Sequence, residues 1–196
     1  MDEFIVKIEE HRDQFFRFIR RNVWDTGVAE DVFSQGVLAA YENRAKYTPG
    51  SNFRAWMYRI LLNKCYVANR ETGRAFDSLD HPAAKEAPAE EAVDYGDLLK
   101  DPSSFLEDVG DEVYRAFRGL STAQRTCILL RGVEKFSYQE ISEIMEIPVG
   151  TVMTHLARGR KKLRGELATY ALETGVIREF PKSRARQGTR KQEGSA

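Results

Sequence analysis

The sequence contains few of the residues that form disulfides or bind metals. Its 196 residues include two cysteines and three histidines. Cys65 and Cys127 lie far apart, and neither belongs to a CxxC pair or to a Cys/His spacing typical of metal sites. A disulfide scaffold is therefore excluded and no metal site is expected. Both cysteines fall within apolar helical patterns, which predicts buried free thiols.

Long apolar runs are absent as well. No stretch approaches the ~20 residues that a membrane-spanning helix needs, and no secretory signal opens the chain. These absences predict a soluble cytoplasmic protein without membrane insertion.

Net charge is zero, with 30 basic and 30 acidic residues, but the charges are unevenly distributed. Residues 76–112 contain 2 Lys and Arg against 12 Asp and Glu, whereas residues 151–171 contain 5 against 1. The acidic segment has too little apolar surface to fold alone, so we interpret it as a flexible linker between two modules. Because the chain as a whole is neutral, any affinity for DNA has to come from local patches or from a larger partner.

The stretch from Phe136 to Arg164 has the pattern of a helix-turn-helix. Ser137 and Glu140 have the spacing of a capping box at the start of a first helix, and Pro148 suits the start of a second. The second helix carries polar residues on one face and is followed by a basic run. Such a helix enters the major groove of DNA in helix-turn-helix proteins. The alternative, from the residues alone, is an ordinary helical hairpin with a solvated charged face.

Three helices are predicted in the first part of the chain, over residues 4–24, over residues 29–43 and from Asn52 onward. Asn52 is the predicted cap of the third helix. This helix combines aromatic and basic residues, a surface that suits single-stranded or melting DNA. Periodicity by itself favours the other interpretation, in which Phe53 and Trp56 belong to the core and the arginines are solvated.

Further helices are predicted over residues 113–120 and 123–132, the latter capped by Ser121, and the last helix continues to Glu173. The predicted fold is all-α, with two small helical domains joined by a flexible acidic linker. The expected boundaries are residues 1–75 and 112–173 for the domains, 76–111 for the linker and 174–196 for a basic, disordered tail.

Four stretches of the chain carry more specific motifs: AEDV at residues 29–32, FRAWMYRI at 53–60 with Asn63 after it, LSTAQR at 120–125, and YQEIS to IPVGTV between 138 and 152. In order and spacing they resemble the clamp-binding motif, the FxxWLyrIaxN signature, the start of sigma-4 and the helix-turn-helix of one family. That family is the extracytoplasmic-function (ECF, group 4) sigma factors of bacterial RNA polymerase, a subfamily of the sigma-70 family. The resemblance covers about residues 10–75 and 112–168.

This resemblance implies a sigma factor that binds core RNA polymerase, directs it to promoter DNA and helps melt the −10 region. The expected contacts with the clamp of the largest catalytic subunit are Asp31, Ser34, Gln35 and Leu38, and the second domain would face the flap of the second subunit. The expected −10 contacts are Arg54, Trp56, Arg59, Asn63, Lys64, Arg70 and Arg74, with one flipped base near Asn63. The expected −35 contacts are Thr151, Met153, Thr154, His155, Arg158, Arg160, Lys161 and Lys162.

The chain departs from the family pattern at several of these positions. Ser34 and Gln35 stand where Gln-Glu is usual. Glu146 replaces the common glycine of the helix-turn-helix turn, so its backbone must tolerate or avoid a positive φ. Met153 and His155 stand where Lys and Arg are frequent, which leaves the −35 sequence open.

Two other classes of function are considered. A stand-alone helix-turn-helix regulator would explain residues 111–170 but not the first 75. An enzyme acting on nucleic acid would need a carboxylate cluster of fixed geometry, and the acidic residues lie in the linker. We therefore expect no catalytic residues, no bound metal and no cofactor, and the resemblance adds an anti-sigma factor as an expected partner.

Overall fold

The structure, a computed structural model, describes residues 2–71 and 111–173. Every regular element in these two ranges is helical. The first range contains α1 (Glu3–Glu10), α2 (Arg12–Asn22), α3 (Ala29–Glu42) and α4 (Phe53–Glu71), with 3-10 turns at Thr26–Val28 and Arg44–Lys46. The second contains α5 (Asp111–Arg118), α6 (Thr122–Ile128), α7 (Tyr138–Met145) and α8 (Val149–Glu173). The predicted tail, and the predicted linker up to residue 110, lie outside the described residues.

The single helix predicted for residues 4–24 is wrong, because the chain breaks at His11 into α1 and α2. Phe4 packs edge-on against Trp56, with ring centroids 5.9 Å apart, whereas Phe15 packs against Tyr58 at 5.1 Å. Trp56 and Tyr58 are two residues apart and therefore point to different sides of α4. One straight helix would place both phenylalanines, eleven residues apart, on the same side. The break at His11 lets each ring reach its own partner.

Helix α4 is central and packs against α2, α3 and α7. Asn52 caps it as predicted, since its side-chain oxygen accepts a hydrogen bond from the Ala55 N–H at 3.1 Å. Leu61 and Cys65 are fully buried. Gly36 lets α3 approach closely, because a Cβ at this position would lie 2.4 Å from Cδ2 of Leu61.

Both caps predicted in the second range are present as reciprocal capping boxes. At the start of α6, the Ser121 hydroxyl accepts from the Gln124 N–H at 3.2 Å and the Gln124 side chain accepts from the Ser121 N–H at 3.3 Å. At the start of α7, the Ser137 hydroxyl accepts from the Glu140 N–H at 3.2 Å and the Glu140 carboxylate accepts from the Ser137 N–H at 2.8 Å.

The helix predicted over residues 123–132 changes form before its end. Helix α6 stops at Ile128 and the chain continues as a π-helical turn, Leu129–Val133. The Glu134 N–H bonds to the Leu129 carbonyl at 3.0 Å, which gives the wide spacing of such a turn. Lys135, with φ 63°, then ends the helix in the left-handed conformation.

Helices α7 and α8 form the predicted helix-turn-helix. Glu146 adopts the left-handed conformation in the turn, with φ 56°, so it tolerates the geometry that usually favours glycine. The Ile147 N–H bonds back to the Ser142 carbonyl at 3.1 Å and closes the turn. Gly159 lets α8 lie close to α6, since a Cβ there would meet Cδ1 of Ile128 at 2.8 Å.

The two helical parts pack against each other and share one apolar core. The ring of Tyr58 meets the ring of Phe136 edge-on at 5.4 Å. The Thr126 hydroxyl donates to the side-chain oxygen of Asn22 at 2.8 Å in a buried position. The sequence predicts two modules and a linker, and the structure adds a direct contact between the modules.

The capping box of α7 makes the stability of the folded protein dependent on pH. The Ser137 N–H, and then the Ser137 hydroxyl, hold the pKa of Glu140 below its ordinary value. A carboxyl with a depressed pKa stabilises the folded state above its unfolded pKa, and this contribution disappears as the pH falls through the folded pKa. We expect Glu140→Gln to lose less stability than the wild type as the pH falls from about 5 to about 3, by less than about 1 kcal/mol because solvent screens the site.

Urea unfolding of both proteins across this range measures the difference. Ser137→Ala should also reduce the pH dependence, because it removes one of the groups that depress the pKa of Glu140. Identical pH profiles for wild type and Glu140→Gln would contradict the prediction.

Candidate nucleic-acid and protein interfaces

One face of α3 carries all four residues predicted to bind polymerase. Asp31, Ser34, Gln35 and Leu38 are each exposed. Their spacing of i, i+3, i+4 and i+7 places them on the same side of the helix. At 58% exposure, Leu38 is the most exposed large apolar side chain in the described parts of the chain. The face combines polar groups with one apolar anchor, the composition of a protein interface.

Three residues predicted to read the −10 element meet at one cleft on the surface of α4. The residues lining this cleft are Asn43, Lys46, Trp56, Arg59, Ile60 and Asn63, and its volume is about 360 Å³. Asn43 and Lys46 were not found from the sequence, because they reach the cleft through the turn between α3 and α4. Ile60 lies on the same stripe of α4, so its helical spacing was a usable signal.

Trp56 packs against the core and also lines the cleft. Its ring packs against those of Tyr47 at 5.6 Å and Phe53 at 6.2 Å, and the half-buried side chain also lines the cleft. Phe53 is buried. The interpretation that these two residues belong to the core therefore holds for Phe53. For Trp56 it explains the ring contacts but not the position at the cleft.

The other predicted −10 residues differ in exposure. Arg54 is half-buried, and its Nη2 lies 2.9 Å from Oε2 of Glu134. Lys64 is partly buried and Arg70 is exposed, whereas Arg74 lies outside the described residues. The cleft residue Arg59 is exposed and forms an ion pair with Glu146.

The predicted −35 residues follow the outer side of α8. Exposed members are Met153, Arg158, Arg160, Lys161 and Lys162, and partly buried members are Thr151, Thr154 and His155. The Thr154 hydroxyl donates to the Gly150 carbonyl at 2.9 Å. The Lys162 ammonium donates to the Gly119 carbonyl at 2.5 Å, just beyond the end of α5. Lys162 thus has a structural contact that the sequence did not indicate.

Sequence reasoning missed the residues that join the helix-turn-helix to α4. Asn52 donates to Oε1 of Glu140 at 2.7 Å, in addition to capping α4. Burial, and then the charge of Glu134, raise the pKa of Tyr58 above its ordinary range, so this phenol stays neutral between the two parts. These partners lie about 80 or more residues apart in the chain, so no local pattern pointed to them.

The chemistry available at these surfaces is that of binding. The cleft offers an indole ring, two amides, a guanidinium and an ammonium group. No group of three or more His, Cys, Asp or Glu residues in the described ranges is arranged to hold a metal ion. In the same ranges, no helix combines the length and apolarity that crossing a membrane requires.

Comparison with known proteins identifies both helical parts. Residues 8–75 match the family model for sigma-70 region 2, and residues 110–163 match the model for sigma-70 region 4. The ECF RNA polymerase sigma factor SigW of Bacillus subtilis (strain 168) is 29% identical over 168 residues, which cover 85% of this chain and 89% of the relative. The ECF RNA polymerase sigma-E factor of Haemophilus influenzae is 31% identical over 147 residues, 70% of this chain and 73% of the relative.

Two solved structures share the fold. The sigma factor RpoE of Bartonella quintana, in complex with the anti-sigma factor NepR, superposes with a TM-score of 0.65 at 25% identity, over 86% of this chain and 98% of that one. CnrH, in complex with the cytosolic domain of CnrY, superposes with a TM-score of 0.59 over 85% and 88%. At 22% identity, the second comparison supports the fold alone.

A region 2 domain followed by a region 4 helix-turn-helix defines the sigma-70 class of transcription initiation factors. Within that class, the chain belongs to the ECF sigma factors. It directs core RNA polymerase to specific promoters, and the stand-alone regulator is not favoured, because region 2 accounts for residues 8–75.

Proposed function

We propose that this sigma factor works through three separate surfaces. The exposed face of α3 binds the polymerase clamp, the cleft on α4 reads the −10 element and α8 reads the −35 element. The domains that carry them extend over residues 1–75 and 112–173, with a linker at 76–111 and a tail at 174–196. The observation that carries the proposal is that Trp56, Arg59 and Asn63 line one cleft.

The cleft suits one base of melted DNA. Its volume of about 360 Å³ lies in the range of small-ligand pockets. The indole ring of Trp56 offers an aromatic surface for a base, and the amide of Asn63 can both donate to and accept from a base edge. Arg59 and Lys46 supply positive charge for the adjoining phosphates. Because unstacking a base costs a few kcal/mol, a cleft that accepts only certain bases converts this cost into sequence preference.

Helix α8 suits the major groove of the −35 element. Arg158 is exposed and has the geometry for two hydrogen bonds to a guanine. Arg160 and Lys161, also exposed, hold phosphates and contribute no sequence information. Met153 offers an apolar contact of the kind that recognises a thymine methyl group. Its presence, with His155 nearby, gives this sigma factor a −35 preference different from relatives with basic residues there.

The remaining features of the proposal concern partners and location. The face of α3 binds the clamp of the largest polymerase subunit, and the region 4 domain binds the flap of the second. An anti-sigma factor binds this chain as well, as the similarity to the RpoE–NepR complex supports. The protein acts in the cytoplasm and performs no chemistry of its own.

Run-off transcription tests the function directly. Full-length protein is combined with bacterial core RNA polymerase on genomic fragments, and transcript start sites are mapped. We expect start sites that share two upstream motifs at a constant spacing. Transcripts no different from those of core polymerase alone would contradict the proposal, as would strong specific binding of the free chain to promoter duplexes.

Replacing Leu38 by lysine should weaken binding to core polymerase by about tenfold to a hundredfold, because apolar anchors at interface centres contribute roughly 1–3 kcal/mol. Leu38 is exposed, so the fold should be unaffected. Val67→Lys is the matched control, since Val67 is 42% exposed but lies on α4. Fluorescence anisotropy with labelled sigma factor measures both affinities. Equal affinities for the two variants would place the clamp contact elsewhere.

A further inference from the structure

Three carboxylates of the helix-turn-helix domain contact polar groups at the start and along the surface of α4. The pairs are Glu134 with Arg54 at 2.9 Å, Glu140 with Asn52 at 2.7 Å, and Glu146 with Arg59. We refer to Glu134, Glu140 and Glu146 as the interdomain carboxylates. Two of their partners are basic residues expected to contact the −10 element: Arg54, from the family resemblance, and Arg59, which also lines the cleft of the proposed function.

One of the interdomain carboxylates, Glu146, lies at a strained backbone position, and another, Glu134, directly precedes one. In the described part of the chain, the non-glycine residues with positive φ are Lys135 at 63° and Glu146 at 56°. Lys135 directly follows Glu134, and Glu146 is itself a carboxylate of the set. A side chain with a Cβ is penalised in this conformation, and glycine is not. Glutamate at 146 therefore lowers local stability relative to glycine. In return, its carboxylate forms an ion pair with Arg59.

A carboxylate and a phosphate compete for the same guanidinium. Both accept hydrogen bonds from the planar donors of arginine, and the geometry of the two pairs is similar. Arg59 lines the cleft of α4, and its partner Glu146 therefore lies beside the proposed −10 site. While the carboxylates occupy the arginines, DNA phosphates cannot bind the same groups.

We propose that the free protein holds itself in a closed form in which the interdomain carboxylates mask the −10 surface of α4. Promoter phosphates bind Arg54 and Arg59 only after the helix-turn-helix domain has moved away from α4. This inference rests on the proposed function, in which α4 reads the −10 element. Glu134, Glu140 and Glu146 then hold the free protein closed and take no part in reading DNA.

The ion pairs of Glu134 and Glu146 differ in strength because they differ in exposure. The side chain of Glu134 is 6% exposed and that of Arg54 is 32% exposed, whereas Arg59 and Glu146 are 51% and 57% exposed. Removing one partner of a largely buried pair is costly, and an exposed pair is screened by water and salt. Removing the charge of Glu134 should therefore favour opening by about tenfold or more, and removing that of Glu146 by about twofold to threefold.

Cys65 on α4 is a built-in reporter of opening. Burial raises its pKa to about 12, and the charge of Arg125, from the helix-turn-helix domain, opposes this shift. The thiol therefore lies close to the boundary between the domains. Opening exposes it and returns its pKa towards the ordinary value, and both changes accelerate alkylation. When closing is faster than alkylation, the rate is proportional to the fraction of open molecules.

The experiment compares iodoacetamide labelling of Cys65 in full-length variants, measured on the Cys65 peptide by mass spectrometry. We expect Glu134→Gln to accelerate labelling about tenfold or more and Glu146→Gln about twofold to threefold. Glu143→Gln is the matched control, because Glu143 lies on α7, is exposed and accepts a hydrogen bond from Gln139 of its own helix. It should label at the wild-type rate.

A second variant separates opening from unfolding. Glu146→Gly removes the carboxylate and also relieves the left-handed strain, so its thermal midpoint should not fall below that of the wild type. We expect it to label as fast as Glu146→Gln. Faster labelling accompanied by a lower thermal midpoint in every accelerated variant would mean unfolding and would overturn the inference.

The masking of DNA is measured with a fluorescein-labelled single-stranded oligonucleotide of mixed sequence, at one salt concentration and without polymerase. Glu134→Gln should bind it more tightly than Glu143→Gln, which loses the same negative charge elsewhere on the domain. Unchanged Cys65 labelling, or tighter binding no greater than that of Glu143→Gln, would overturn the inference. Run-off transcription by the wild type is independent of these results, so a failure of the proposed function is recognised separately.

Discussion

Replacing Asn63 by alanine should lower the yield of run-off transcript by about fivefold to a hundredfold, because a hydrogen-bonded contact to a base edge contributes roughly 1–3 kcal/mol and 1.4 kcal/mol is a factor of ten. Asn63 is exposed on α4, so truncation leaves no cavity in the core. Its amide lines the cleft beside Trp56 and Arg59. The variant should therefore retain the fold and the affinity for core polymerase, and lose the capture of the unstacked base.

Permanganate footprinting separates this defect from weaker recruitment. Thymines near −10 should react less in complexes of Asn63→Ala than in wild-type complexes, at concentrations where both occupy core polymerase fully. Gln139→Ala is the control, since Gln139 is an exposed amide on α7, away from the cleft. Equal opening by Asn63→Ala and the wild type would refute the assignment of the cleft.

Leu61→Ala should destabilise the folded chain by about 2–5 kcal/mol, because Leu61 is fully buried and its removal leaves a cavity between α3 and α4. Because Gly36 lies against Leu61, replacing both residues tests whether their effects on stability are coupled. Gly36→Ala alone should cost about 1–3 kcal/mol, since the new Cβ would lie 2.4 Å from Cδ2 of Leu61. In the Leu61→Ala background the same methyl group fills part of the cavity instead.

The double variant should therefore be more stable than the sum of the single effects, by on the order of 1 kcal/mol or more. Urea unfolding followed by far-UV circular dichroism measures the cycle. Gly165→Ala is the control, because nothing lies within 4 Å of a Cβ at this exposed position of α8. It should stabilise the protein by about 0.5–1 kcal/mol through helix propensity. Additive effects of the Gly36 and Leu61 replacements would show that the two positions are not in contact.

The features predicted correctly from the sequence depend on residues close together in the chain. The caps at Asn52, Ser121 and Ser137 each involve a partner three residues away, and all three are present. The turn of the helix-turn-helix follows from Glu146 and Pro148 in the same way. Motif order also identified the family before any contact between distant residues was known.

The features that were missed depend on packing. The break at His11 arises because Phe4 and Phe15 reach different sides of α4, which helical periodicity cannot express. The π-helical turn at Leu129–Val133 likewise interrupts a helical pattern that was predicted to continue to Gly132. For the −10 site, the sequence indicated the stripe on α4 but not Asn43 and Lys46, which complete the cleft from a separate turn.

By itself, the sequence determined the helices, their caps, the helix-turn-helix and the membership of the ECF sigma factors. Only the tertiary structure decided how region 4 lies on region 2, with Glu134 on Arg54 and Glu146 on Arg59. The physical reason is the distance along the chain. A cap or an apolar stripe is encoded within a few residues, whereas an ion pair across some 80 residues leaves no mark on the local pattern of either partner.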